Sequence, residues 1–277
     1  MGPADGERSG GAAPADAAPA VDLNADLGEL DSPDGGASDE ALLRVVTTAH
    51  IACGGHAGTG ESMRRTVAVA LAAGATVGAH PSYLDREGFG RRPLARSPGQ
   101  VADDVAWQVE RLQRVAAREG AVVRSVKAHG ALYNRMAGDA DCAAAVARAV
   151  RACDPELVLV VLAGSRAEAV VAAEGLRPGA EGFCDRGYLA DGSLAPRSSP
   201  GALVTDPEAA AARAVSLAVH RRVPAVDGKT VSVKARTLCV HGDSPGAVAL
   251  AGAVRRSLEA HGVAVVPLVG GARPTVR

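Results

Sequence analysis

Four histidines, His56, His80, His129 and His241, each stand directly after a short apolar run and precede a helix start by a few residues. Imidazole exchanges a proton near neutral pH and also binds metal ions, so the recurrence points to acid–base or metal chemistry. Far apart in sequence, these positions meet in space if the apolar runs are parallel strands of a (β/α) barrel, whose loops converge at the carboxyl ends of the strands. A single buried histidine is more often a satisfied core residue than a catalyst. Four at equivalent positions make independent structural explanations unattractive. His220 and His261 differ, because they fall in the last turns of helices, where the helix dipole favours them without any chemistry.

Acids, amides and cations surround the same positions. The segment Asp22-Leu23-Asn24-Ala25-Asp26-Leu27-Gly28-Glu29 ends the first apolar run, although turn chemistry also favours Asp, Asn and Gly. His80 leads through Tyr83 to Gly88-Phe89-Gly90-Arg91-Arg92, and paired arginines suit a carboxylate or a phosphoryl oxygen. Lys127 and His129 lie two apart at a strand end, hence on one face, with Tyr133 and Asn134 just beyond. Asp185-Arg186 and Arg197 follow the sixth run, and His241 with Asp243 precedes a helix whose free amides suit an anion. The residues expected to do chemistry are therefore Asp26, His56, His80, Lys127, His129, His241 and Asp243. Those expected to bind substrate are Asn24, Glu29, Tyr83, Arg91, Arg92, Tyr133, Asn134, Asp185 and Arg186. A divalent cation, if one is used, would fall to Asp26, His56 and His80.

Two familiar patterns are set aside on physical grounds. Gly242-Asp243-Ser244-Pro245-Gly246 fits G-x-S-x-G, but the proline after the serine has no N–H to offer an oxyanion. Gly228-Lys229-Thr230 resembles the end of a P-loop, but Val223 stands where the first glycine should be, and the segment reads as a hairpin.

The elements that must position these residues alternate strand and helix along the chain. Strands are expected at Ala20–Asn24, Ile51–Gly55, Ala75–Ala79, Val122–Lys127, Leu157–Leu162, Gly182–Cys184, Thr237–Val240 and Val263–Leu268. Helices are expected near Ser38, over Thr59–Ala73, from Ser97 to Gly120, and from His129 to Cys153 with a break at Gly138-Asp139. Further helices begin at Ser165 with Glu168 as capping partner, at Asp206-Pro207 to about Arg222, and over Pro245–His261. Val223–Lys234, with Asp227-Gly228 at its centre, reads as an inserted β-hairpin. The fold class is α/β: a barrel of seven or eight parallel strands forming a single domain over 20–277, with an open doubly wound sheet as the rival.

Composition narrows the partners. The formal net charge of −1 with scattered basic residues leaves no footprint for nucleic acid or an anionic membrane, so a small-molecule substrate fits better. Five cysteines without C-x-x-C spacing argue against a disulfide framework and suit a reducing cytoplasm. Residues 1–19 read as a disordered tail without a secretory pattern, and the Ala-rich stretches carry too many charges to span a bilayer. With 47% apolar but only 2% aromatic residues, the core must be filled by small aliphatic side chains.

The blocks DLNADLGE, IACGGHAG, GAHPSY with GFGRR, VKAHGALYN, FCDRGY, DGSLAPR and CVHGDSPGA together resemble the LamB/YcsF family over roughly Val21 to Gly262. The resemblance implies a seven-stranded barrel of the glycoside hydrolase/deacetylase type. It also implies an ATP-dependent opening of the lactam of 5-oxo-L-proline to L-glutamate, in the cytoplasm, with partner subunits B and C. ATP would be a cosubstrate of the complex, and the partners would activate the lactam that this chain then handles. The sequence departs from the family pattern at His50, Thr59, Ala128 and Arg236, of which His50 and Thr59 are expected nearest the pocket. Two alternatives stand beside this one: a metal-dependent deacetylase or amidohydrolase, and a non-catalytic substrate-binding subunit.

Overall fold

The computed structural model describes residues 19–30, 33–241 and 246–270; Asp243 and all of the expected tail 1–19 except Pro19 lie outside them, and the Pro19 carbonyl accepts from the Ala264 amide at 2.8 Å. The chain runs β1 (Ala20–Leu27), α1 (Pro33–Leu43), β2 (Thr48–Ala52), α2 (Gly60–Ala73), β3 (Thr76–His80) and α3 (Pro98–Arg118). It continues with β4 (Val123–Lys127), α4 (Gly130–Gly138), α5 (Ala140–Cys153), β5 (Val158–Leu162), α6 (Arg166–Ala173) and β6 (Arg177–Phe183). Then come α7 (Pro207–Val215), a π-helical turn (Ser216–His220), β7 (Arg222–Pro224), β8 (Thr230–Ser232), β9 (Thr237–His241), α8 (Ala247–Ala260) and β10 (Ala264–Val265).

Strands β1 to β6 pair in order, all parallel, and β9 pairs with both β6 and β1, so the sheet closes into a seven-stranded barrel. The doubly wound alternative is thereby excluded. The eighth expected strand shrinks to β10, which pairs only with Ala20 and Val21 at the entry of β1 and is not a stave. Antiparallel β7 and β8 form the expected hairpin.

Local signals explain most boundaries. Thr59 and Ser62 form a capping box at α2, and Ser97 and Gln100 form another at α3 behind Pro98. Asp139 accepts from the Cys142 amide and divides α4 from α5. The expected Ser165–Glu168 box does not form. Glu168 instead takes the amide of Gly164, whose φ of +80° turns that N–H toward it, and the Ser165 hydroxyl is left buried without a hydrogen-bond partner. β6 is longer than expected because Pro178, Gly179 and Gly182 mask its strand character. The helix expected to reach Arg222 leaves α geometry at Val215 and is ended by Arg221 in the left-handed region, φ 53°.

Alternation along β1 sets the layering. Leu23, Ala25 and Leu27 are buried in the hydrophobic layer, which also takes in Met63, Val67, Val105, Val109 and Leu112 from the covering helices. Asp22, Asn24 and Asp26 point the other way, into the barrel, where they meet polar residues of the other strands. The interior of this barrel is thus a column of hydrogen-bonded polar side chains.

Candidate functional site

The column is organised around Lys127. Its ammonium lies 2.9 Å from Asp26 Oδ1, 2.9 Å from Glu181 Oε1, 3.1 Å from Asn24 Oδ1 and 3.1 Å from Cys239 Sγ. Burial alone would favour the neutral amine, but the Asp26, Cys239 and Glu181 groups more than offset it and hold the pKa well above the ordinary lysine value. Below it, Asn24 donates to Glu181 at 3.0 Å and to Thr237 at 2.7 Å, while His50 bridges Asn24 and Ser125 at 3.2 Å each. His50 is therefore a structural member of the column. Burial, then the Lys127 charge, pushes its pKa far down and keeps it neutral. Thr59, the other departure expected near the pocket, is an exposed helix cap.

Above Lys127, at the carboxyl ends of β1 to β4, Glu29 and three imidazoles converge. His56 Nε2 is 2.9 Å from Glu29 Oε1, His129 Nδ1 is 3.3 Å from it and His80 Nε2 is 3.6 Å from it. His56 and His129 stack with ring centroids 3.8 Å apart, and His80 stands edge-on to both. Burial drives the pKa of His56 down to about 3 and lowers that of His129. Burial would raise Glu29, but the His129 and His56 imidazoles beside it outweigh that and leave it far more acidic than usual. For His80, burial is outweighed by Asp26 and Glu29, which raise it.

Phe89 covers this cluster, edge-on to His56 at 5.2 Å and to His129 at 5.4 Å. It sits in the left-handed region, φ 51°, and in that conformation its carbonyl accepts from His129 Nε2 at 3.0 Å. The next residue must be glycine. At Gly90, φ +63°, a Cβ would come within 2.9 Å of His56 Cβ and 3.1 Å of His129 Cδ2. Gly54 and Gly55 make room for Arg111 and for Gln108 with Ser82.

Beside the cluster opens a cavity of about 590 Å³, a size typical of small-molecule sites. Asp26, His80, Lys127, His129, Tyr133 and Arg186 line it as buried residues, His241 and Arg197 as half-buried ones, and Arg91 and Asn134 at its exposed rim. On the far wall, His241 Nδ1 lies 2.9 Å from Asp185 Oδ2, which also accepts the His241 backbone N–H at 2.9 Å. An imidazole held at Nδ1 by a carboxylate presents its other nitrogen as an oriented proton acceptor. Burial would raise Asp185, but His241 outweighs it and the acid stays ionised. Burial first, and then the charge of Arg197, lowers the pKa of Arg186, whose guanidinium also donates to the carbonyls of Ala195 and Ala202. Two guanidiniums facing one opening favour an anion there.

Of the expected residues, Asp26, His80, Arg91, Lys127, His129, Tyr133, Asn134, Arg186 and His241 share this cavity, and His56 and Glu29 adjoin it. Four are placed differently. Asn24 lies below the cavity in the column, and Asp185 grips His241 rather than facing the opening. Tyr83 is buried, with its hydroxyl accepting from Arg135 at 3.3 Å, and Arg92 pairs with Asp85 at the surface of its own loop. Of the expected cation set, His56 and His80 group with Glu29 and His129, while Asp26, paired with Lys127 and 3.3 Å from His80, falls in a second group with Cys239 and His241. Glu181 and Phe89 stand outside the set expected from sequence. The first carries no signal because the sequence pattern starts the sixth strand only at Gly182; in β6 it is fully buried and paired with Lys127. Nothing in the pattern marked the second as a cover for the imidazoles.

No helix among the described residues is long and apolar enough to cross a membrane. Comparison with known families matches residues 21–272 to the LamB/YcsF family. The chain is 48% identical over 247 residues to the A subunit of 5-oxoprolinase from Bordetella parapertussis, spanning 89% of this chain and 98% of that protein. It is 47% identical over 245 residues to the protein of the same name from Symbiobacterium thermophilum, spanning 88% and 94%. Among solved structures, the lactam utilization protein from Thermus thermophilus superposes with a TM-score of 0.82 at 44% identity, covering 89% of this chain and 99% of that one. An uncharacterized protein from Agrobacterium tumefaciens shares the fold alone, with a TM-score of 0.55 at 13% identity, covering 93% of this chain and 90% of that one. The likeness extends over the strands that build the column and the loops that close the cavity, and so the chain belongs to the LamB/YcsF family.

Proposed function

We propose that this chain is the A component of a 5-oxoprolinase, opening the lactam of 5-oxo-L-proline to L-glutamate on a substrate that partner subunits B and C activate at the cost of ATP. The observation that carries the reading is the cavity itself: acid–base groups and three arginines in one lining, in a chain nearly half identical to proteins named for this reaction. A lactam is a resonance-stabilised amide, and placing a phosphoryl group on its oxygen makes the ring carbon open to water. The cavity of about 590 Å³ is larger than a five-membered lactam needs, which leaves room for that group beside Arg91, Arg186 and Arg197.

In this reading His241, held by Asp185, takes a proton from water as the water oxygen bonds to the ring carbon. The ring carbon–nitrogen bond then breaks and the nitrogen takes up a proton, leaving an acyl phosphate; a second water bonds to the same carbon and displaces phosphate with the oxygen it was attached to, giving the carboxylate. Lys127 with the surrounding donors stabilises negative charge that develops on the substrate.

The test is glutamate formation from 5-oxoproline by the purified chain with and without its partners. Turnover is expected only when B, C and ATP are all present, and Asp185→Asn is expected to lower it by about 10²–10⁴-fold. Strong ATP-dependent turnover by the chain alone would refute the division of labour. ATP-independent hydrolysis by the chain alone would favour a second reading, a metal-dependent amidohydrolase, for which the Glu29–His56–His80–His129 cluster speaks.

A further inference from the structure

The imidazole cluster presents an excess of lone pairs. His80 Nδ1 lies 2.8 Å from the carbonyl oxygen of Lys127, and His129 Nε2 lies 3.0 Å from that of Phe89. A carbonyl only accepts, so each of these nitrogens carries its N–H, and in neutral imidazole the opposite nitrogen is a bare acceptor. Those two bare nitrogens, His80 Nε2 and His129 Nδ1, face one another at 3.0 Å. Both also face the Glu29 carboxylate, at 3.6 and 3.3 Å, and His56 Nε2 approaches the same oxygen at 2.9 Å. Acceptors gathered in a buried space repel unless positive charge lies among them. The occupant is a shared proton or a cation.

Spacing and donor type favour the cation. Four donor atoms, one from each residue, lie within 4.8 Å of one another. Tetrahedral coordination at about 2.0–2.1 Å sets ligand atoms about 3.3–3.4 Å apart, and four of the six separations, 2.9, 3.0, 3.3 and 3.6 Å, bracket that edge. His56 and His129 stack with near-parallel rings 3.8 Å apart, so the His56 ring, whose Nδ1 has no hydrogen-bond partner, turns on binding to bring its nitrogen to the ion. Three imidazole nitrogens and a carboxylate oxygen suit a borderline-soft divalent ion. His80 and His129 are each fixed through the opposite nitrogen by a backbone carbonyl, the arrangement that orients metal-bound imidazoles.

We propose that Glu29, His56, His80 and His129 bind a divalent transition-metal ion of the zinc type. Because His80 and His129 also line the cavity, the ion lies at its buried lining, where it can polarise a substrate oxygen or a water molecule. The assignment does not depend on which substrate the cavity takes.

Elemental analysis of the full chain, followed by Zn²⁺ and Co²⁺ titration of chelator-stripped protein, tests it without any activity assay. One equivalent per chain is expected, with intense visible Co²⁺ bands and an X-ray absorption shell of nitrogen and oxygen at about 2.0–2.1 Å. Glu29→Gln and His129→Ala, checked for folding by circular dichroism, are expected to weaken affinity by about 10–100-fold or more. His241→Ala, on the opposite wall, is expected to bind as the parent does. Absence of stoichiometric binding by the parent chain at micromolar Zn²⁺ and Co²⁺ overturns the proposal and leaves a proton as the occupant. Binding that folded Glu29→Gln and His129→Ala variants retain unchanged overturns it too.

Discussion

Asp22 and Asp26 lie four residues apart on β1, both point into the barrel and both are buried, yet their acidities move in opposite directions. Asp22 is met by neutral donors alone: Thr47 and Thr48 donate to Oδ1 at 2.7 Å each, Thr237 donates to Oδ2, and the Leu268 backbone donates to the carboxylate as well. There burial prevails over the hydrogen bonds and raises the pKa. Burial acts on Asp26 as well, but His80, Lys127 and His241 outweigh it and hold the pKa well below the ordinary carboxylate range. Desolvation is common to both acids. What separates them is where the cations stand, and the cations stand only at the end of the barrel that opens into the cavity. The lower layer is a closed set of dipoles that supports the strands. In the upper layer the His56 Nδ1, Tyr133 hydroxyl and Glu181 Oε2 atoms lack a well-formed hydrogen bond, as groups kept ready for a ligand do.

Replacing Lys127 by Met attacks this contrast at its root. Asp26 and Glu181, each 2.9 Å from the ammonium, would remain buried without their counter-ion, and the loss is expected to reach about 3–5 kcal/mol in urea denaturation together with loss of turnover. Retention of parental stability would show that the column is not organised by its cation. Asp22→Ala comes next. Three hydroxyls lose their acceptor, for an expected cost of about 1–3 kcal/mol, while turnover per folded molecule stays at the parental level. A drop in turnover would deny the separation of the two layers.

The smallest effect is a change in pH slope. With its pKa raised above 3.8, folded Asp22 binds its proton more tightly than the unfolded chain does, so this residue's contribution to stability is present in acid and declines as pH rises from about 4 toward its folded pKa. Asp22→Asn lacks that decline. Its stability relative to the parent is therefore expected to improve from pH 4 upward and then level off, as read from denaturation midpoints across the range. A difference independent of pH would mean that Asp22 titrates alike in both states.

Much of this molecule was legible before folding. The sequence places the first strand but ends it at Asn24, three residues before β1 does, because the Asp, Asn and Gly that continue it also favour turns. Thr59, Ser97, Asp139 and Asp206 announce helix starts by chemistry that acts within three residues. The histidines at the ends of apolar runs mark the mouth. Such signals are local, and so a linear chain can carry them.

Partnership across the barrel is another matter. That β9 closes on β1, that Asp185 reaches a histidine 56 residues away, and that Glu29 serves three imidazoles from three other loops follow from strand order and loop path. Periodicity states which face a side chain takes, but not which distant strand stands opposite it. The sequence by itself determined the kinds of group at the mouth and the elements that carry them. Only the tertiary structure decided which acid is paired with a cation, which holds an imidazole and which lies among four converging ligands, because Coulomb and hydrogen-bond energies depend on distances that closure of the barrel alone sets.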